Sequence, residues 1–485
     1  MKDRIQQMNV FFMTWKGYLT GMILVFFFCS LLYGLSFITA YSSSTQARQD
    51  ASGFEYRYAK QFIYFYFYTG YFPLATLNEE LTFNRAAAEK ELELHGDQLI
   101  MEYKHWSRLG EHARIFAFLP DAWIKRSPAN PSVRLFNALF FTLGLLFLFR
   151  GSWKIGYPLT GLFACLLILC TPYYHYEIFR NENIFGLLHS IFYFCIGILL
   201  PVLFAPNNPS PKHLALGIPA VLLIAFGSEI RNEISIVLVS VLLLYLLANS
   251  FHWIYRLVSI ILFCGLFVFS KKMIQYYFHQ KFEAATALVK SKGGHVYTGA
   301  RISGHQFWHP VSCGLGDFDQ RYGHRWDDRV AYAYAIPVLK EKYNLDIPYS
   351  GELYVDAYYD SAKIYYKKFD EIPEYEEVMK EQVLHQIQQD PSWYASILIQ
   401  RILRILTTTL PFPLAGWLLF PLLYVLIRKR EWTLLKLIVI SLPLSAMSFL
   451  IYSGNGATYN SVFPFVVIIL WVVIGIKSSI KLNSV

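Results

Sequence analysis

Charged side chains are scarce in this sequence, so chemistry is to be sought where they gather beside apolar runs. Just after the first long apolar run the chain reads RQDASGFEYRYAKQF, residues 48–62, with Asp50, Glu55, Tyr56, Arg57 and Tyr58. A carboxylate at a membrane edge can act as a general base toward a hydroxyl held there. The plainer alternative is a solvated acid in a loop. Two later junctions share a pattern. YYHYEIFRNEN covers residues 173–183 and GSEIRNE covers 227–233, so Arg180 with Glu182 and Arg231 with Glu233 each stand where a helix enters an apolar stretch. Charges at such a depth are costly unless paired or functional. A guanidinium fork suits a phosphate, and a leaving phosphate needs its charge stabilised. The alternative is that each Arg pairs with its own Glu or with lipid head groups.

The stretch GHQFWHPVSCGLGDFDQRYGHRWDDRV, residues 304–330, gathers His305, His309, His324, Asp317, Asp319, Asp327 and Asp328. His305 and His309 at i and i+4 would face a zinc ion together on a helix. Gly304, Pro310, Gly314 and Gly316 argue against a helix there; the whole of 293–330, rich in Gly, His and Trp without a period, reads as a folded loop, and a divalent metal is one reading of it. Trp308 and Trp326 can stack on a sugar ring or hold the loop together. Beyond Pro391, SWYASILIQRILRILTTTL is amphipathic with Arg401 and Arg404 at helical spacing. Such a helix at a membrane surface offers arginines to lipid phosphates, or anchors itself with them. In SGNGATYNSVFPF, residues 453–465, Tyr459 faces an outer turn, where an interfacial tyrosine is also common.

The elements that must position these residues are set by composition. Of 485 residues, 55% are hydrophobic and 16% charged, against about 25% charged in soluble domains; the mean hydropathy is +0.34. These values exclude a water-soluble enzyme and a disordered chain. The net charge of +9 does not point to nucleic acid, because the basic residues sit in short clusters beside apolar runs, as membrane topology requires. About ten spans are expected, at 18–40, 133–149, 156–173, 183–204, 213–227, 234–250, 254–271, 413–427, 433–452 and 458–477, given the ~20 residues that a bilayer core requires. The run 213–227 is short and its end is polar, which makes it the weakest of the ten. Placing both termini inside puts Lys2, Arg4, Lys16, Arg150, Lys154, Lys212, Arg256, Arg428–Arg430, Lys436, Lys477 and Lys481 on the cytoplasmic side. The chain then divides into an N-terminal membrane module, 1–271, with a long first outer loop at 41–131; an outer region of helices and loops, 272–412; and C-terminal membrane helices, 413–485. Loops so long tend to be functional. In the outer regions 61–72 reads as an interfacial segment, 83–106 as a helix, 277–291 as helix continuing from the membrane, and 331–410 as helical. Five of six cysteines lie in apolar runs and read as small hydrophobes; Cys313 alone lies in a polar region. No cysteine spacing suggests disulfides or a thiolate metal cluster.

This arrangement resembles the GT-C superfamily of integral-membrane glycosyltransferases. QDASGFEYRYAKQF is similar to the family's acid followed by an aromatic-rich helix ending in Tyr-Ala. RNENIFGLL and IRNEISIVLV resemble its arginine-bearing helix starts, QDPSWYASILIQRILRIL its amphipathic helix, and ATYNSVFPFVVIIL its late Tyr-to-Pro helix start. The resemblance covers most of the chain through loose motifs. It implies an all-α polytopic fold in a bacterial plasma membrane and a polyprenyl-phosphate sugar donor, with an acceptor the sequence does not name. Transfer would proceed by direct displacement with inversion. It also implies Asp50 as the base, with Glu55 beside it, and donor-phosphate binding by Arg180, Arg231 and Arg404. Glu182, Glu233, Arg57, Tyr58, His309, Trp308 and Tyr459 would orient those groups or bind substrate. The family often has an adjacent acidic pair, where this chain has Asp50 with Glu55 further on. Metal dependence varies within the superfamily. Competing readings are a ligase or polymerase of polyprenyl-linked glycans, a transporter or flippase, and a non-catalytic membrane scaffold. The first generally lacks an early acid in a long first loop, and the second needs polar groups through the depth of several spans.

Overall fold

The computed structural model describes residues 2–42, 69–71, 86, 89–90, 93, 131–171, 178, 187–205, 211–248, 251–293, 307–344, 354–358, 364–368, 373–407, 415–445, 449–450 and 462–481. They form a helical membrane protein. α1 is Lys2–Met13, α2 Trp15–Ser42, α3 Pro131–Lys154, α4 Pro158–Leu169, α5 Leu187–Leu203, α6 Pro211–Ala215, α7 Gly217–Ile230, α8 Ile236–Leu247 and α9 Trp253–Ser291. Four segments are long and apolar enough to cross a membrane: Trp15–Leu35, Phe136–Lys154, Pro211–Ile230 and Trp253–Tyr277. Six shorter apolar helices accompany them among the described residues. The run at 213–227, the weakest span in the sequence, thus belongs to one of the four long ones. α6 and α7 join around Leu216 and Gly217, and the start at Pro211 adds the length that the hydropathy pattern alone does not give it.

Small residues set the closest helix pair. A Cβ on Gly144 would lie 2.6 Å from the Ser190 carbonyl, and one on Gly151 would lie 2.1 Å from the Gly197 carbonyl. These contacts advance in the same direction along both helices, so α3 and α5 run parallel with their backbones touching, which is how membrane helices associate where lipid removes the hydrophobic drive. At the periphery, α2 and α9 expose large apolar side chains, including Ile23, Phe26, Ile261 and Phe269. An exposed apolar face of that size belongs against lipid. α9 is 39 residues long, or about 58 Å at the helical rise. It therefore outreaches a bilayer core of about 30 Å, and its last turns stand in the polar region.

That region is built by α10 (Trp308–Leu315), α11 (Asp328–Tyr343), α12 (Pro373–Gln389) and α13 (Pro391–Thr407). Two sequence expectations change here. Residues 308–315 form a helix despite Pro310 and Gly314. Pro310 sits in the first turn, where a missing N–H has no intrahelical partner to lose. The helix stops at Gly316, whose Cβ would lie 2.1 Å from the His324 carbonyl. Between α11 and α12 the expected helix is interrupted by an antiparallel hairpin, β1 (Tyr354–Tyr358) with β2 (Ile364–Lys368), registered Tyr354 to Lys368. Both strands are rich in tyrosine and β-branched residues, which favour strands. The chain then returns to the membrane helices through α14 (Leu419–Arg428), α15 (Trp432–Ser441) and α16 (Val462–Lys481). The core is continuous: Val311, Leu315, Val383, Trp393 and Ile397 belong to the same buried cluster as the α3, α5 and α7 interior. The polar region is therefore seated on the bundle.

Candidate functional site

Three of the site arginines and acids suggested by sequence lie within the described residues, as do Trp308 and His309. α7 ends at Ile230, and Arg231 turns the backbone with extended dihedrals while its N–H still bonds the Gly227 carbonyl at 2.8 Å. A short 3₁₀ turn, Asn232–Ser235, then leads into α8. The Arg231 guanidinium pairs with Glu233 at 3.1 Å, both partly exposed. One turn earlier, Glu229 is buried at the end of α7. It accepts a hydrogen bond from Gln275 at 2.9 Å and faces Lys271 at 3.5 Å, both on α9. Donors from another helix make a carboxylate at that depth tolerable. The result is a compact charged rim where α7, α8 and α9 leave the apolar zone. Glu229, Lys271 and Gln275 were not singled out in the sequence. Glu229 stands in GSEIRNE and could have been found; its α9 partners, more than 40 residues on, could not.

Arg401 and Arg404, equivalent by spacing, part company in the structure. Arg401 is 1% exposed. It donates to the Gly314 carbonyl at 2.7 Å and the Phe449 carbonyl at 3.0 Å, and faces the buried Asp317 carboxylate at 3.6 Å. It thereby ties α13, α10 and the C-terminal membrane helices together, a structural task that leaves it no surface for a lipid phosphate. Arg404 is exposed on α13, with its guanidinium 5.5 Å from the Phe318 ring, and remains the one of the two that can meet a head group.

His309 is buried on α10 among four groups. Its Nδ1 bonds the Tyr375 hydroxyl; its Nε2 lies 3.2 Å from Asp328 Oδ1 and 3.8 Å from Cys313 Sγ. The Tyr332 ring stacks on it at 5.7 Å. Burial disfavours its charged form, but the Asp328 carboxylate and Cys313 thiol beside Nε2 outweigh that, and the imidazole is raised to about 9. Glu376, buried on α12, accepts hydrogen bonds from the N–H groups of Trp308 at 2.9 Å and His309 at 3.3 Å, which caps α10 with a carboxylate where the helix dipole favours one. Trp308 is half-buried against this core, which favours the role of holding the loop together over that of an open platform. His324 accepts from the Ser312 hydroxyl at 3.0 Å through Nδ1 and donates from Nε2 to Gln386. Its ring stacks on Trp393. Burial lowers its pKa, against the hydrogen bonds it makes to Gln386 and to the Ser312 backbone.

Asp50, Glu55, Arg57, Tyr58, Arg180, Glu182 and Tyr459 lie outside the described residues, as does His305. The segments 41–131 and 272–412 do touch: Lys292, just past α9, donates to the Glu93 carbonyl at 2.9 Å. Within the bundle, a partly open apolar pocket lies between α3, α4 and α5 on one side and α15 and α16 on the other, with Ser152, Tyr157 and Thr160 among its few polar neighbours. Comparison of the chain with protein-family models, curated proteins and solved structures finds no match.

Proposed function

We propose that this protein is a membrane glycosyltransferase of GT-C type, which moves a sugar from a polyprenyl-phosphate donor to an acceptor hydroxyl on the extracytoplasmic side. The Asp50 carboxylate takes the acceptor proton as the acceptor oxygen attacks the anomeric carbon. The bond from that carbon to the phosphate oxygen breaks, with inversion, and the phosphate leaves with the electron pair. Arg231, Arg180 and Arg404 stabilise the charge on the leaving phosphate. Glu233 orients Arg231, and Glu182 is proposed to do the same for Arg180.

The observation that carries this reading is the charged rim where α7 ends, α8 begins and α9 leaves its apolar half. In the four long apolar segments, charged side chains sit at or near the ends: Lys16, Arg150 with Lys154, Lys212 with Glu229, and Arg256 with Lys271 and Lys272. That distribution suits chemistry at the interface more than passage of a polar solute through the interior. The apolar pocket between α3, α4, α5, α15 and α16 has a lining against which an isoprenoid chain can pack. In the test, detergent-purified protein receives prenyl-phosphate sugars and an acceptor mixture. Transfer by the wild type is expected, with Arg231→Ala lowering kcat/KM about 100-fold and Asp50→Asn abolishing turnover. Full transfer by Asp50→Asn would remove that residue as base. Transfer only from a diphosphate-linked glycan would make the protein a ligase or polymerase, and uptake into sealed vesicles without transfer a transporter.

A further inference from the structure

We propose that His309, Cys313 and Asp328 form a binding site for a zinc-like divalent ion, with a fourth coordination position open to solvent. One atom of each, His309 Nε2, Cys313 Sγ and an Asp328 carboxylate oxygen, lies within 4.8 Å of the others. Nε2 stands 3.2 Å from Asp328 Oδ1 and 3.8 Å from Sγ. Tetrahedral zinc, with bonds of about 2.0–2.3 Å, holds neighbouring ligand atoms about 3.3–3.7 Å apart. The three donors are thus near coordinating separation already. Nitrogen, thiolate and carboxylate together suit zinc rather than magnesium or calcium, which prefer all-oxygen shells.

The surroundings support the same assignment. His309 and Cys313 are one turn apart on α10, and Asp328 opens α11, so an ion here joins two helices. The second ring nitrogen of His309 is engaged by Tyr375, the kind of outer partner that fixes a ligating imidazole in the right tautomer. Glu376 pins the His309 backbone from below. His309 and Cys313 are buried, whereas the Asp328 side chain is 58% exposed, so the open position faces water through Asp328. Cys313 is the sole cysteine between 272 and 412, so that region offers it no disulfide partner. The site is independent of the transferase reading: neither the rim nor Asp50 enters it.

The test is metal binding by the full chain in detergent. After gel filtration without chelator, one equivalent of zinc per chain is expected by elemental analysis, together with a rise in melting temperature on adding zinc to chelator-treated protein. Cobalt(II) should give a sulfur-to-metal charge-transfer band. Cys313→Ser should lose that band, while Cys170→Ser, at the exposed cysteine, should keep it. Asp328→Asn alters an exposed side chain beside, not at, the Asp327 helix cap, so it should fold normally and bind cobalt at least ~10-fold more weakly. No band in the wild type, a band that survives Cys313→Ser, or unchanged affinity in Asp328→Asn each overturns the proposal and leaves a hydrogen-bonded triad.

Discussion

Two buried groups in the polar region carry consequences that single substitutions can read. Arg401 is held by two carbonyls and Asp317 with almost no exposure. Removing one partner of such a pair leaves an uncompensated buried charge, at a cost of about 3–5 kcal/mol. Arg401→Met is therefore expected to lower unfolding stability in detergent by that amount, and Arg401→Met with Asp317→Leu to recover part of it. The recovery is incomplete because the Gly314 and Phe449 carbonyls stay unserved. Equal stability of single mutant and wild type would show that the pair is not buried in solution. His324 gives a pH dependence of definite sign. Its folded pKa lies below the unfolded value of 6.5 because burial disfavours the imidazolium. The unfolded chain then binds more protons, so this contribution is complete above about pH 6.5 and is lost as pH falls below it. His309 acts in the opposite sense in the metal-free chain: its contribution is complete below about 6.5 and is lost as pH rises through about 9. Just below pH 6.5 His324 should add to the slope, and His324→Gln should flatten the fall of the melting temperature there; an unchanged slope would exclude it.

At the scale of elements, the parallel pair α3 and α5 depends on Gly144, Gly151 and Gly197. A side chain at Gly197 would drive its Cβ to within 2.3–2.4 Å of the Phe147 and Leu148 backbone. Neither backbone can move aside, so Gly197→Leu should destabilise the bundle by about 1–3 kcal/mol through overpacking, read as a lower melting temperature and earlier aggregation in detergent. Gly265, with nothing near its Cβ position, should accept Ala without loss. The four long apolar helices were legible in sequence because about 20 apolar residues have few other uses. The departures have physical causes. The segment 308–315 looked unhelical from its proline and glycines, yet Pro310 falls in the first turn and Gly314 leaves its carbonyl to Arg401. The hairpin at 354–368 was hidden inside a stretch whose flanks are helical. The same error concealed the His309–Cys313 pair: one turn apart on a helix, they are unrelated on a loop. Asp328, at the start of a different helix, joins them only through tertiary packing that no local spacing encodes. The Arg231–Glu233 pairing needed no such packing, since the two residues share one turn.

Across the whole molecule, α14 separates two unlike ends. Its C-terminal turn carries Arg428, Lys429 and Arg430, with Arg430 at a positive φ of 54° as the chain reverses into α15. Beyond its other end, the preceding 3₁₀ turn (Ala415–Leu418) packs near Leu406 on α13, the helix that holds Arg401 to the polar region. Positive residues are retained on the cytoplasmic side during insertion, so the basic turn should face inward and the 307–407 region outward, where the proposed chemistry requires it. The assignment is open to direct chemical labelling in a Cys170→Ser background. Arg325 and Lys429 are both exposed, and each can carry a single new cysteine. In intact cells a membrane-impermeant maleimide is expected to label Arg325→Cys, while Lys429→Cys should react only after permeabilisation. The reverse pattern would place the charged rim and the His309 cluster in the cytosol. An extracytoplasmic prenyl-phosphate transferase would then be ruled out, while the metal site, which depends only on side-chain geometry, would stand or fall by its own test.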